Sequence, residues 1–163
     1  DEDTMMDVAQ KVALGAIKYP MISRENTKIV TFDWDSALDF NGQSAPYIQY
    51  ANVRANSILR KAGELRGKAA RFNHALEPSE VNLIELLSKL PDEVMRAAKE
   101  LRTSILTAYA YDLAKVFNDF YNQCQVLRAE ETVRNSRLAL VEASRIALEK
   151  LLNLLGIQAP QVM

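Results

Sequence analysis

Cysteine occurs once in this chain of 163 residues, at Cys124, and histidine once, at His74. A single thiol excludes an intramolecular disulfide and a cysteine-based zinc site. It fits a packed or half-buried thiol in a reducing compartment, and a cytoplasmic location is the expectation. His74 lies in a polar stretch without cysteine or aspartate beside it, so it reads as an exposed loop residue and not as a metal ligand or general base. Glycine and proline number 5 each. So few breakers favour long helices, and no glycine-rich loop is present to cradle a phosphate. No apolar run is long enough to cross a bilayer, and no signal peptide is recognisable. The net charge is −1, which argues against a nonspecific polyanion binder, usually basic overall, but leaves room for a local basic patch. Hydrophobic residues at 48% and charged residues at 25% give the balance of a soluble globular domain. The chain opens on Asp1-Glu2-Asp3 and reads as an excised or processed piece.

What is present is helical periodicity. Val8, Val12, Ala13 and Ile17 share one face of a helix over 7–18, which Pro20 is expected to stop. Lys28-Ile29-Val30-Thr31-Phe32 is β-branched and aromatic and predicts a short strand. Trp34 is expected to anchor the turn after it against the core, with Asp33 or Asp35 capping a short helix through Leu38. Asn41-Gly42-Gln43-Ser44 reads as a turn ending in an N-cap, ahead of a helix over 47–63 with Pro46 in its first turn. Residues 66–74 are polar and basic and read as loop. Glu77-Pro78-Ser79-Glu80 starts a helix through Ser88, with Val81, Ile84 and Leu87 inward and Leu83 and Leu86 widening the stripe. Pro91-Asp92-Glu93 starts another with Val94, Ala97, Ala98 and Leu101 inward, followed by a break near 102–104. A stripe from Ile105 through Phe120 and a last helix over about 129–155, closed by Gly156, complete the chain. The expected fold is all-α: a helical bundle behind a short strand-containing entry segment.

The helix after Pro46 has an unusual front. Ile48, Ala51, Ala55, Ile58, Leu59 and Ala62 form its apolar back, while Tyr47, Tyr50, Arg54 and Lys61 align on the opposite side. Such a front is either half-buried core phenols with solvated cations or a stacking platform for unpaired bases.

Phe32-Asp33-Trp34-Asp35, Leu38, Phe40, Gly42, then Pro46-Tyr47-Ile48-Gln49-Tyr50-Ala51, Arg54 and Ser57-Ile58-Leu59-Arg60-Lys61 resemble the segment entering the anticodon-binding domain of class I arginyl-tRNA synthetases. Leu14-Gly15-Ala16-Ile17-Lys18-Tyr19 resembles the helix leading there. Tyr111-Asp112-Leu113-Ala114-Lys115, Phe117-Asn118, Phe120-Tyr121 and Cys124 resemble that family's long central helix. Arg137-Leu138-Ala139-Leu140, Leu154-Leu155-Gly156-Ile157 and Ala159-Pro160-Gln161-Val162-Met163 resemble its carboxy terminus. The blocks occur in order and cover nearly the whole chain.

The resemblance implies residues 1–43 as a connecting segment from a catalytic domain and 44–163 as the anticodon-binding domain. It implies a parent that joins arginine to tRNA(Arg) with ATP and magnesium, while this piece binds and positions tRNA, contains no catalytic residue and needs no cofactor or metal. The catalytic signatures of the family are absent, and Met21-Ile22-Ser23-Arg24 echoes one of them only faintly. Carried over residue by residue, the anticodon would be held by Tyr50 and Tyr121 as base platforms, with Tyr47, Met163, Asn41 and Gln43. Tyr47 has a second reading, packed beneath the loop 41–45. Some family members carry a second aromatic one turn beyond Tyr121; here Gln125 stands there, a hydrogen-bonding replacement. Arg54, Arg60 and Lys61, and further out Arg66, Lys68 and Arg71, could meet phosphates, each with simple solvation as the other reading. Arg137 reads as structural, pairing with a carboxylate inside the bundle. A monomer without membrane contact is expected. The alternative is a helical protein-interaction module that does not bind RNA.

Overall fold

The computed structural model describes residues 2–25, 27–65 and 69–163. Among them the order is α1 (Glu2–Ile22), α2 (Trp34–Ala37), α3 (Ala45–Ala62), a 3-10 turn (Gly63–Leu65), α4 (Pro78–Ser88), α5 (Leu90–Glu100), α6 (Thr103–Gln123) and α7 (Glu131–Leu154). The all-helical expectation holds. The short strand does not form: residues 28–33 carry no regular structure, and Ile29 is 93% exposed. A β-branched run becomes a strand only against a partner, and none lies beside it among the described residues.

Local chemistry sets the boundaries. Ser44 caps α3, its Oγ accepting from the Tyr47 N–H at 3.2 Å, and Pro46 takes a position where no N–H is needed. Asp33 caps α2 by accepting from the Ser36 N–H at 2.9 Å. Pro20 does not stop α1, which runs on to Ile22. A proline forfeits its own backbone bond and crowds the carbonyl one turn back, but this last turn is fastened from outside. The Tyr19 hydroxyl donates to the Thr107 carbonyl at 3.0 Å, and Thr103 Oγ1 donates to the Ile22 carbonyl at 2.8 Å.

Helix α3 lies along α7 and crosses α6 and α1, while α4 and α5 cover α6. Ile48, Ala51, Ala55, Leu113, Phe117, Phe120, Leu148, Leu151 and Leu152 are buried where α3, α6 and α7 meet. Each large side chain among them contributes about 1.5–3 kcal/mol by leaving water, and truncating Phe117 to alanine is expected to cost about 3–5 kcal/mol. Gly15 allows α1 to approach α3: a Cβ there would sit 3.1 Å from Gln49 Nε2 and 3.2 Å from Ala45 Cβ. Gly156, at φ +67, ends α7 in the left-handed region.

Several expected inward positions turn out. Val81 is 37% exposed while Leu83 is fully buried, because α4 is rotated to bring Glu80 inside. Leu101 is 84% exposed and takes φ 53, the left-handed stop between α5 and α6. Trp34 is 54% exposed and meets the Phe32 ring edge-on at 4.8 Å, since the missing strand leaves it no core wall. His74 is tucked in and not looped out: its Nε2 lies 3.3 Å from Glu80 Oε1, and its ring stacks over Phe72. Cys124 is buried, with Ser79 Oγ at 3.3 Å from its sulfur.

Arg137 is structural, as its sequence reading holds. Its Nε donates to Glu80 Oε1 at 3.0 Å and its Nη1 to the Gln125 carbonyl at 3.0 Å. Glu80 is fully buried and closes a capping box on α4 with Glu77. Burial alone would push its acidity down. The guanidinium, the Glu77 N–H and His74 outweigh that and hold the carboxyl below its ordinary range. Among the described residues no helix is long and apolar enough to cross a membrane.

Candidate nucleic-acid interface

Tyr50 and Arg54 stand one turn apart on α3, and Tyr121 lies in the last turn of α6. The crossing of these helices brings all of them together. The Arg54 guanidinium carbon sits 4.9 Å from the Tyr50 ring centre and 4.8 Å from the Tyr121 ring centre. Its Nη1 donates to Asn118 Oδ1 at 2.6 Å. The cation therefore lies between the phenols and is pinned by a neutral amide. Each cation–π contact contributes about 0.5–1 kcal/mol at a partly exposed site, and no carboxylate among the described residues neutralises the charge. Tyr50 is 40% and Tyr121 42% exposed, so both rings present surface to solvent while the guanidinium covers one face of each.

Phe40 meets Tyr50 edge-on at 6.4 Å between ring centres. Phe40 also shares an apolar groove along α1 with Val8, Val12, Val162 and Met163. A chain of side chains thus runs from Tyr121 through Arg54, Tyr50 and Phe40 to Met163, which is itself 40% exposed. The tail is held in place by Gln49, a buried neighbour of Tyr50. Its Nε2 donates to the Gln158 carbonyl at 2.8 Å and to the Lys11 carbonyl at 3.2 Å. On the other side of Arg54, Lys61, Tyr121, Gln125 and Arg128 line a pocket of about 350 Å³.

Other expected site residues stand apart. Tyr47 is half-buried against Tyr111, with ring centres 5.3 Å apart, and so offers less free face than Tyr50. Gln43 faces a pocket lined by Tyr19, Ser23 and Ser36 and hydrogen-bonds to the Tyr19 phenol. Burial nevertheless raises the Tyr19 pKa well above the ordinary phenol value, so the hydroxyl holds its proton more tightly. Asn41 is exposed, its N–H donating to Asp39 Oδ1 at 2.7 Å in a local turn. Arg60 and Arg71 are exposed, and Arg66 and Lys68 lie outside the described residues. Sequence reasoning missed Asn118, Phe40 and Arg128 as participants. Asn118 precedes Tyr121 by less than one helical turn, a spacing that puts them on one face. Arg128 follows the helix in an irregular turn, where periodicity gives no direction. Among the described residues no group of His, Cys, Asp and Glu side chains is placed to hold a metal ion.

The family model described as the DALR anticodon binding domain matches residues 48–163. The chain belongs to that family. It is 44% identical to an arginine–tRNA ligase of Pyrococcus furiosus, over 99% of this chain and 27% of that protein. It is 45% identical to one of Archaeoglobus fulgidus, over 97% of this chain and 29% of that protein. Among solved structures, the arginyl-tRNA synthetase of Thermus thermophilus superposes with a TM-score of 0.90 at 40% identity, covering 96% of this chain and 27% of that one. The arginyl-tRNA synthetase of Plasmodium falciparum gives 0.83 at 25% identity, over 96% of this chain and 28% of that one. The chain thus spans little more than a quarter of the length of these relatives.

Proposed function

We propose that this chain is the anticodon-recognition domain of an arginine–tRNA ligase and that its ligand is the anticodon loop of tRNA(Arg). The observation that carries the reading is the held pair of phenols, Tyr50 and Tyr121, half-exposed on either side of an unneutralised arginine. Unpaired bases stack on such rings, at roughly 1–3 kcal/mol each, and the loop's phosphates favour the cation. In this reading Tyr50 and Tyr121 stack bases, Met163 closes the apolar end of the cradle, and Lys61, Arg60 and Arg54 favour the sugar–phosphate strand. Gln125 supplies hydrogen bonds at the rim. Tyr47 supports the platform from beneath, and Asn41 and Gln43 shape the loop ahead of α3.

Residues 44–163 form the recognition domain, and 1–43 connect it to the remainder of a longer ligase. That ligase activates arginine with ATP and magnesium and passes it to the tRNA. The catalytic step belongs to the remainder, and this chain contributes positioning alone. A cytoplasmic monomer fits that role. Titration of the chain with the anticodon stem-loop of tRNA(Arg), followed by fluorescence anisotropy at low salt, tests the reading. Saturable binding that exceeds binding of an unrelated stem-loop is expected; equal binding to both would remove it. One observation favours a second reading, a protein-docking module: the apolar groove of Met5, Val8, Phe40 and Met163. Such a module would ignore both stem-loops.

A further inference from the structure

Asn41 and Gly42 stand side by side in the irregular loop between α2 and α3. No other asparagine in the chain precedes a glycine. Most of the others lie inside helices, where the N–H that follows is bonded to a carbonyl one turn back. The loop offers no such bond. The Gly42 N–H donates to no acceptor among the described residues. The Asn41 side-chain amide is exposed and likewise unengaged. Asp39 shapes the pair from one side. Its Oδ1 accepts from the Asn41 N–H at 2.7 Å, and its Oδ2 lies where a Cβ on residue 42 would collide with it. The packing of this carboxylate therefore requires glycine at 42.

We propose that Asn41–Gly42 is a site of spontaneous covalent modification, at which a neutral amide becomes a carboxylate. The Gly42 backbone nitrogen gives up its proton and attacks Asn41 Cγ. The new N–C bond closes a succinimide ring. The Cγ–Nδ2 bond breaks, and its nitrogen leaves as ammonia with the proton that Gly42 gave up. Water then opens the ring. Attack at Cγ restores the ordinary backbone and leaves aspartate; attack at the backbone carbonyl leaves isoaspartate, with the chain running through the side-chain carbon. Water enters, ammonia leaves, and nothing is oxidised or reduced. The local structure favours each step. Glycine puts no side chain in the path of the ring and leaves the backbone free to adopt its geometry. The attacking nitrogen has no hydrogen bond to surrender, and the exposed amide is open to water.

The product places a further negative charge beside Asp39 and Phe40, and the Phe40 ring meets Tyr50. Isoaspartate also lengthens the backbone between Asp39 and Ser44, the span that the Ser44 hydroxyl closes on the Asp39 carbonyl ahead of the α3 cap. Conversion therefore opposes a polyanion at the edge of the phenol surface. The chemistry stands by itself, and its effect on binding rests on the reading of the chain as a binder of an unpaired RNA loop.

The test uses two measurements on the whole chain. In the first, the chain is aged at mildly alkaline pH in water enriched in heavy oxygen, digested in ordinary water and mapped by mass spectrometry. Residue 41 is expected to exchange its amide for a water-derived oxygen ahead of every other asparagine, yielding aspartate and isoaspartate together. Asn41→Gln, whose longer side chain closes a ring far more slowly, is expected to keep its amide over the same time. An unchanged residue 41, or one no faster than the asparagines of the helices, overturns the site. Aspartate without isoaspartate overturns it as well, because direct hydrolysis of the side chain makes aspartate alone. In the second measurement, fresh and aged chains are titrated with the anticodon stem-loop of tRNA(Arg) at low salt and followed by anisotropy. Affinity is expected to fall about two- to fivefold in the converted fraction. Equal affinity overturns the consequence for RNA and leaves the modification standing. If the fresh chain binds no stem-loop, the anticodon reading is lost, and the mass map decides the site by itself.

Discussion

Two arginines, Arg137 and Arg54, do opposite things in this molecule. Arg137 points inward to a fully buried carboxylate, with a carbonyl taking a further guanidinium nitrogen. Its charge is cancelled where it sits. Arg54 is held by ring faces and an amide oxygen, which orient a cation without neutralising it. The first arrangement locks helices together; the second keeps a positive field available at a surface. What a buried or half-buried cation does therefore depends on what cancels its charge, not on how many neighbours it touches.

Arg137→Met is expected to have the largest effect. It leaves the buried Glu80 carboxylate without its guanidinium, with only the Glu77 N–H and His74 beside it, and should cost about 3–5 kcal/mol in denaturant unfolding. The same inward pair predicts a pH dependence. Glu80 is held below its ordinary value of 4.5, so its stabilisation is complete above that value and is lost as pH falls through the lower folded value. Glu80→Gln should abolish that share of acid unfolding, seen as a flatter profile of stability on the acid side.

On the open side, Tyr121→Ala is expected to weaken stem-loop binding by about 1–3 kcal/mol and to leave unfolding close to wild type. Arg54→Met keeps the aliphatic stem but removes the cation. Stability should fall by about 1 kcal/mol because the two rings no longer face a charge, with a shallower salt dependence of binding, measured by anisotropy. A control lies far from both. Leu101→Gly relieves a left-handed backbone at a largely exposed residue and should stabilise by about 0.5–1 kcal/mol in thermal unfolding, with no effect on RNA.

The helices were legible because periodicity and caps are local. Ser44, Pro46, Pro78 and Gly156 announce their boundaries, and the stripe from Leu113 to Phe120 announces the core. The alignment of Tyr50 with Arg54 on one face was equally local. Their meeting with Tyr121 was not, because it depends on how α3 and α6 cross. The failures share a cause. Lys28–Phe32 has strand chemistry but no partner to pair with. Pro20 has breaker chemistry, but the Tyr19 and Thr103 hydroxyls hold the turn around it. Val81 and Leu83 were exchanged because the ion pair of Glu80 with Arg137 decides the rotation of α4, and hydrophobicity alone cannot weigh that.

The Gln49 amide, which grips the carbonyls of Lys11 and Gln158 at once, sets a leash. Pro160 beyond it is buried while residues 161–163 are exposed. At about 3.3–3.6 Å per residue, Met163 stays within about 10 Å of Pro160. Any ligand touching Met163 must therefore come to the lip of α3 to be felt, and any shift of α1 drags the leash point with it.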